Sequence, residues 1–101
     1  MVKQLTRENF QKEAISASEG KAVLVDFWAP WCGPCRMQGP IVEEMAEAGF
    51  IVGKVNIDEE SDLASQYRVM SIPTLIIFKN GKEAGRMVGV QSRQALEAAM
   101  A

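Results

Sequence analysis

A run of apolar, β-forming residues leads directly into the chain's only two cysteines, and this junction constrains the fold more than any other feature. Residues 22–28 (AVLVDFW) are typical of a strand covered on both faces. Cys32 and Cys35 follow, and a helix is predicted from about Pro34, because proline suits the first helical turn. The cysteines therefore lie where a strand turns into a helix.

A thiol at the start of a helix faces unpaired backbone N–H groups and the positive end of the helix dipole, and both favour the thiolate. Since the thiolate attacks disulfides, we expect Cys32 to be the nucleophile. Cys35, one turn further on, is expected to be more buried and to resolve rather than attack. Gly33 lets another chain approach closely. The pair is thus predicted to be a redox-active dithiol.

Other uses of a C-x-x-C pair fit this chain less well. A structural zinc site needs four ligands, and the chain has no histidine and no third cysteine. Covalent haem attachment needs a histidine where this chain has Arg36. A purely stabilising disulfide is the remaining alternative, although one that closes so small a loop restricts the unfolded chain little. We expect neither a metal nor a cofactor.

Length and composition predict a single domain that covers residues 1–101, because 101 residues with 48% hydrophobic content can bury one core. A net charge of −2, with both signs interspersed, gives no basic patch for nucleic acid or membrane. No apolar stretch approaches the ~20 residues of a membrane span. Reversible dithiol chemistry suits a reducing compartment, so we expect a cytoplasmic location. We also expect the protein to be a monomer.

Hydrophobic periodicity and turn signals predict the other elements. Helices are predicted at residues 6–18, 34–48 and 61–67 and after Ser92. Strands are predicted at residues 22–28, 50–57, 74–79 and 82–88. The first two strands should be parallel, because a helix separates them. The last two should form an antiparallel hairpin, because Asn80-Gly81 favours a two-residue turn.

The chain closely resembles the thioredoxin family in motifs spread over nearly its whole length. These motifs are DFWAPWCGPC at residues 26–35, Ile72-Pro73-Thr74 and Gly89. The resemblance implies an α/β thioredoxin fold, with a central mixed sheet of about five strands flanked by about four helices. It also implies a thiol-disulfide oxidoreductase that reduces protein disulfides through a mixed disulfide. A thioredoxin reductase, either NADPH- and flavin-linked or ferredoxin-linked, would restore the dithiol.

Two residues of the second predicted helix depart from the family pattern. Gln38 and Gly39 stand where thioredoxins commonly have apolar or alanine-like residues. Glycine destabilises a helix by roughly 1 kcal/mol relative to alanine. We therefore expect a looser helix near Pro40, although the sulfur chemistry does not depend on these two side chains.

Asp26 interrupts the apolar strand, where an uncompensated buried charge costs several kcal/mol. One interpretation is an aspartate that simply bonds to backbone or water. Its place upstream of Cys32, together with the resemblance, favours another: a proton acceptor for Cys35 whose pKa is raised by burial. Lys54, in the adjacent predicted strand, could pair with Asp26 or could extend to the surface.

An apolar collar around the sulfur is predicted to bind substrate. A trans proline is the ordinary expectation for a loop, but thioredoxins have a cis proline at the position of Pro73, so Ile72-Pro73 is predicted to be cis. The Ile72 backbone would then lie beside Cys32 and could pair with an extended substrate segment. The predicted substrate-binding residues are Trp31, Gly33, Pro34, Ile72, Pro73, Gly89 and Val90.

Two other functions stay open on the sequence alone. A disulfide oxidase or isomerase would need a more stabilised reduced state, whereas Gly33-Pro34 between the cysteines resembles the reducing members of the family. A non-catalytic binding subunit would carry the dithiol only incidentally. A cysteine-free variant that kept the full biological effect would support that second alternative.

Overall fold

A five-stranded mixed sheet forms the centre of the computed structural model, which describes residues 1–101. Its strands are β1 (Lys3–Gln4), β2 (Val23–Trp28), β3 (Ile51–Asn56), β4 (Thr74–Lys79) and β5 (Lys82–Val88). The α-helices are α1 (Gly33–Glu47), α2 (Ser61–Gln66) and α3 (Arg93–Met100). A helical segment of one π-turn (Gln11–Ile15) and one 3₁₀ turn (Ser16–Ser18) precedes β2. The predicted fold class is confirmed.

The strand order β1-β3-β2-β4-β5 places β2, the strand that leads to the cysteines, at the centre of the sheet. Strands β1, β3 and β2 run parallel, whereas β4 is antiparallel to both β2 and β5. The predicted parallel pair and the predicted hairpin are therefore both confirmed. A central strand is covered on both faces, which is why its sequence is a nearly continuous apolar run.

Alternate side chains of β2 pack into two different cores. Leu24 packs with Met45 of α1 and Leu96 of α3 on one face of the sheet. Val25 packs on the other face, against the N-terminal helical segment and α2. Because alternate residues of a strand share a face, Asp26 points to the same side as Leu24. This is the side that α1 covers.

The local turn and cap signals are also confirmed. Asn80 and Gly81 have φ values of 51° and 80°, and a two-residue type I′ hairpin turn needs positive φ at both positions. Ser92 caps α3, since its Oγ accepts a hydrogen bond from the Ala95 N–H at 3.1 Å. Short-range sequence patterns thus position the turn of the β4–β5 hairpin and the start of the last helix.

The N-terminal segment begins as predicted but does not continue as an α-helix. Thr6 and Asn9 exchange hydrogen bonds between side chain and backbone, at 2.7 and 3.3 Å. The π and 3₁₀ turns follow, and Ser18 at their end is fully buried. Its Oγ accepts from the Gly81 N–H and its carbonyl accepts from the Asn80 N–H, both at 2.7 Å. Bonding to the β4–β5 turn therefore fixes how this segment ends.

Gly39→Ala is expected to raise the free energy of unfolding by roughly 0.5–1 kcal/mol, because alanine is the better helix former. Gly39 lies inside α1, and beyond its chain neighbours and the backbone of the helix a Cβ built there meets no atom within 4 Å. Urea denaturation of the oxidised protein should show a higher midpoint with an unchanged slope. Gly49→Ala is the matched control and should destabilise, because Gly49 has a φ of 104° that alanine tolerates poorly. A less stable Gly39→Ala variant would contradict the prediction.

Candidate active site

Cys32 is the N-cap residue of α1. Its backbone is extended, with φ of −90° and ψ of 113°, and its Sγ accepts a hydrogen bond from the Cys35 N–H at 3.2 Å. Pro34 lies in the first turn, where its missing N–H is not needed. The N–H group and the helix dipole both favour negative charge on the Cys32 sulfur. This is an environment that stabilises a thiolate nucleophile.

Cys32 and Cys35 form a disulfide, so the structure represents the oxidised protein, and their Cα atoms lie 5.2 Å apart. Both residues are buried, with exposed fractions of 6% for Cys32 and 3% for Cys35. The difference in burial expected between the two is therefore small. Their positions differ more, because Cys32 caps the helix and follows the exposed Trp31, whereas Cys35 lies one turn inside.

The loop that precedes β4 lies beside the Cys32 sulfur. Ile72-Pro73 is cis, and the Ile72 carbonyl oxygen lies 3.8 Å from the Cys32 Sγ. Ile72 also packs against the small apolar cluster that contains both cysteines. Gly89, just after β5, donates its N–H to the Pro73 carbonyl at 2.8 Å. The structure therefore brings three separate parts of the chain together around Cys32.

The exposed rim of this site is apolar. Trp31 is 65% exposed and Val90 is 38% exposed, while Gly33 and Pro34 are exposed in the first turn of α1. The Trp31 indole Nε1 donates to both carboxylate oxygens of Asp58, at 3.0 and 3.2 Å. Asp58 thus orients the indole ring, and it is not among the site residues predicted from the sequence. Its only sequence signal is its position two residues after β3.

Asp26 is fully buried, and neither of its carboxylate oxygens has a hydrogen-bond partner. Burial raises the pKa of Asp26 from its ordinary value of 3.8 to about 7, and the positive charge of Lys54 partly opposes this rise. A carboxyl group in this environment exchanges a proton near neutral pH. Its side chain points to the face of the sheet that α1 covers, and Cys35 belongs to α1.

Lys54 occupies the position opposite Asp26 in the parallel pairing of β2 and β3. The two side chains form no ion pair, since the Lys54 Nζ lies over the Trp28 ring, 4.3 Å from the ring centroid. This is the geometry of a cation–π interaction. Lys54 therefore influences Asp26 through its charge and not through direct contact.

Gln38 is a second residue near the site that is not among the site residues predicted from the sequence. It is fully buried in α1, and its side-chain amide makes two hydrogen bonds to the backbone of Gln91. These contacts anchor the Gln38 side chain, so they do not support the expectation that Gln38 loosens the helix. The available signal was periodicity, because residues 35, 38, 42 and 45 share the buried face of α1.

No group of three or more His, Cys, Asp or Glu side chains lies close enough together to hold a metal ion. None of the helices combines the length and the apolar character that crossing a membrane requires.

A dithiol that caps a helix at the end of a central strand defines a thiol-disulfide oxidoreductase, and the comparisons with known proteins agree. The Thioredoxin family model matches residues 1–101. The chain belongs to the thioredoxin family, and it is a protein-disulfide reductase that uses a redox-active cysteine pair.

Individual relatives show the same likeness over most of the chain. The chain is 51% identical to the thioredoxin of Alicyclobacillus acidocaldarius over 100 residues, which cover 96% of this chain and 92% of the relative. It is 51% identical to the thioredoxin of Chlorobaculum thiosulfatiphilum over 87 residues, covering 83% and 79%. It is 49% identical to the thioredoxin of Chlamydia pneumoniae over 98 residues, covering 95% and 92%.

Proposed function

We propose that residues 1–101 act as one catalytic domain in which Cys32 attacks the substrate disulfide and Cys35 resolves the mixed disulfide. The observation that supports this order is the hydrogen bond from the Cys35 N–H to the Cys32 Sγ at the start of α1. A bond of this kind stabilises the negative charge on one sulfur of the pair only. Cys32 is therefore the thiolate that is ready to react.

The reaction consists of two exchanges. The Cys32 thiolate forms a bond to one substrate sulfur, and the substrate disulfide breaks with release of the other sulfur as a thiolate. The Cys35 thiol then loses its proton and its sulfur attacks the Cys32 Sγ, which breaks the mixed disulfide and releases the second substrate thiolate. Two electrons have passed from the dithiol to the substrate. The protein is left with the Cys32–Cys35 disulfide seen in the structure.

Asp26 is proposed as the group that accepts the Cys35 proton. Three observations support this role: its burial, its lack of hydrogen-bond partners and its pKa of about 7. A base with a pKa near the working pH is the most effective proton acceptor. Lys54 assists by opposing the rise in the Asp26 pKa, which keeps part of the carboxyl population ionised at neutral pH.

The substrate segment is proposed to lie in a groove around Cys32, formed by Trp31, Gly33, Pro34, Ile72, Pro73, Gly89 and Val90. The Ile72 carbonyl beside the sulfur is a hydrogen-bond acceptor, and an extended peptide pairs with such backbone groups as an added strand. The exposed Trp31 and Val90 side chains supply apolar contact on either side. This groove would favour extended, disulfide-containing protein segments.

Disulfide-containing proteins and thioredoxin reductase are the typical partners of the thioredoxin family. For this chain we propose a cytoplasmic monomer that a reductase returns to the dithiol form. Both an NADPH- and flavin-linked and a ferredoxin-linked reductase supply the required two electrons. Reconstitution with each purified reductase would identify the electron donor by the rate at which the dithiol re-forms.

Alkylation of the reduced protein at pH 7 tests the assigned roles. Iodoacetamide should modify Cys32 at least about tenfold faster than Cys35, since only Cys32 is held as a thiolate. Peptide mass spectrometry of samples quenched over time gives the two rates separately. The same protein unfolded in urea is the control, and its two cysteines should react at similar rates. Equal rates in the folded protein would contradict the proposed order of attack.

A further inference from the structure

The side-chain amide of Gln38 ties α1 to the loop formed by residues 89–91. Its Nε2 donates to the Gln91 carbonyl at 3.1 Å, and its Oε1 accepts from the Gln91 N–H at 2.7 Å. Gln38 is fully buried, and both ends of its amide are used on this one residue. Both hydrogen bonds lie in a partly buried environment, where an unpaired polar group costs free energy. The two bonds together therefore hold the loop in place.

The loop that Gln38 holds contains two of the proposed groove residues, Gly89 and Val90. The Gln91 side chain donates within the loop to the Val88 and Gly89 carbonyls, at 3.4 and 3.3 Å. The Gly89 N–H donates to the Pro73 carbonyl at 2.8 Å. A continuous set of hydrogen bonds therefore leads from α1, through the loop of residues 89–91, to the Ile72-Pro73 loop beside Cys32.

We propose that Gln38 is a positioning residue that fixes the loop of residues 89–91 as a substrate-binding wall beside the Ile72-Pro73 loop. The inference rests on the proposed groove, and it assigns Gln38 to binding of the protein substrate and not to sulfur chemistry. The Gln38 side chain makes no hydrogen bond to Cys32 or Cys35, and its only hydrogen-bond partner is the backbone of Gln91. Its loss should therefore affect substrates that extend along the groove more than small disulfides.

Gln38→Met tests this proposal, because methionine has a similar size but leaves both backbone groups of Gln91 unpaired. The KM for insulin, a protein disulfide substrate, should rise about fivefold while kcat stays within about twofold, as expected when a binding contact is lost. The rate with hydroxyethyl disulfide, which is too small to reach the loop, should stay unchanged. Gln94→Met, at an exposed position on α3, is the matched control and should affect neither substrate.

Amide hydrogen exchange supplies a test that does not depend on the variant folding. In the wild-type protein the Gln91 N–H should exchange slowly, because it donates to a buried oxygen. Rapid exchange there would overturn the proposal. So would an unchanged insulin KM in Gln38→Met, or equal slowing with both substrates. If the wild-type protein reduced neither substrate, the proposed function would fail first, and this inference would fail with it.

Discussion

Cys35→Ser should convert the protein from a catalyst into a trap for its substrates. Cys32 can still attack a disulfide, but a serine hydroxyl does not displace a sulfur from the mixed disulfide. Insulin reduction should therefore fall by at least about three orders of magnitude, as is typical when a reacting group is removed. A covalent adduct with one substrate chain should accumulate at the same time.

Non-reducing electrophoresis and mass spectrometry of the adduct measure this outcome. The linkage should map to Cys32, and added dithiothreitol should release it. Cys32→Ser is the matched control, because it keeps one thiol but removes the one that caps α1. It should lose activity and form little adduct. An equally abundant adduct through Cys35 in that control would show that the two roles are reversed.

The parts of the fold that depend on short-range signals were predictable from the sequence. The run of residues 22–28 gave the central strand to within one residue, and proline at position 34 marked the first turn of α1. The Asn80-Gly81 turn and the Ser92 cap are each set by one or two residues. Such features need no knowledge of distant parts of the chain.

The parts that depend on distant contacts were not predictable in the same way. Strand β1 has only two residues, both exposed, so it carries no periodicity, and it exists through its pairing with β3. The 3₁₀ turn that ends at Ser18 is held by hydrogen bonds from residues 80 and 81. In both cases the partner lies about 50 or more residues away in sequence.

The same distinction applies to the site. Sequence and family resemblance together indicated the cysteine pair, Asp26 and the Ile72-Pro73 loop, since each belongs to a recognisable motif. The partners that orient these groups belong to none. Asp58 reaches Trp31 across 27 residues and Gln38 reaches Gln91 across 53. Gln38 was expected to disturb α1 because its partner could not be known from the helix alone.

Asp26→Ala should raise the free energy of unfolding above pH 7 and should slow the reduction of disulfides. The pKa of Asp26 is about 7 in the folded protein against an ordinary value of 3.8, so unfolding releases a proton between these values. The carboxyl group therefore lowers stability progressively as pH rises from about 4 to about 7. At 1.36 kcal/mol for each pKa unit, the full penalty is about 4 kcal/mol. Alanine removes that penalty and leaves a small cavity, which offsets about 1 kcal/mol of the gain.

Urea denaturation at pH 4, 6 and 8 measures how the free energy of unfolding of each variant depends on pH. Asp26→Ala should be slightly less stable than the wild type at pH 4, where only the cost of the cavity remains, and about 3 kcal/mol more stable at pH 8. Asp62→Ala is the control, because it removes an exposed carboxyl group, and it should not reproduce the gain in stability at pH 8. A variant less stable than the wild type at pH 8 would contradict the buried, high-pKa carboxyl.

Kinetics separate the proton-acceptor role of Asp26 from its effect on stability. If Asp26 accepts the Cys35 proton, the wild-type rate of mixed-disulfide resolution should increase with pH around 7, as the carboxyl ionises. Asp26→Ala should lose this increase and resolve about 100-fold more slowly, at the low end of the range that general-base catalysis contributes. The first attack by Cys32, measured by alkylation, should change little. A stabilised variant that resolved mixed disulfides at the wild-type rate would show that Asp26 is buried without acting as a base.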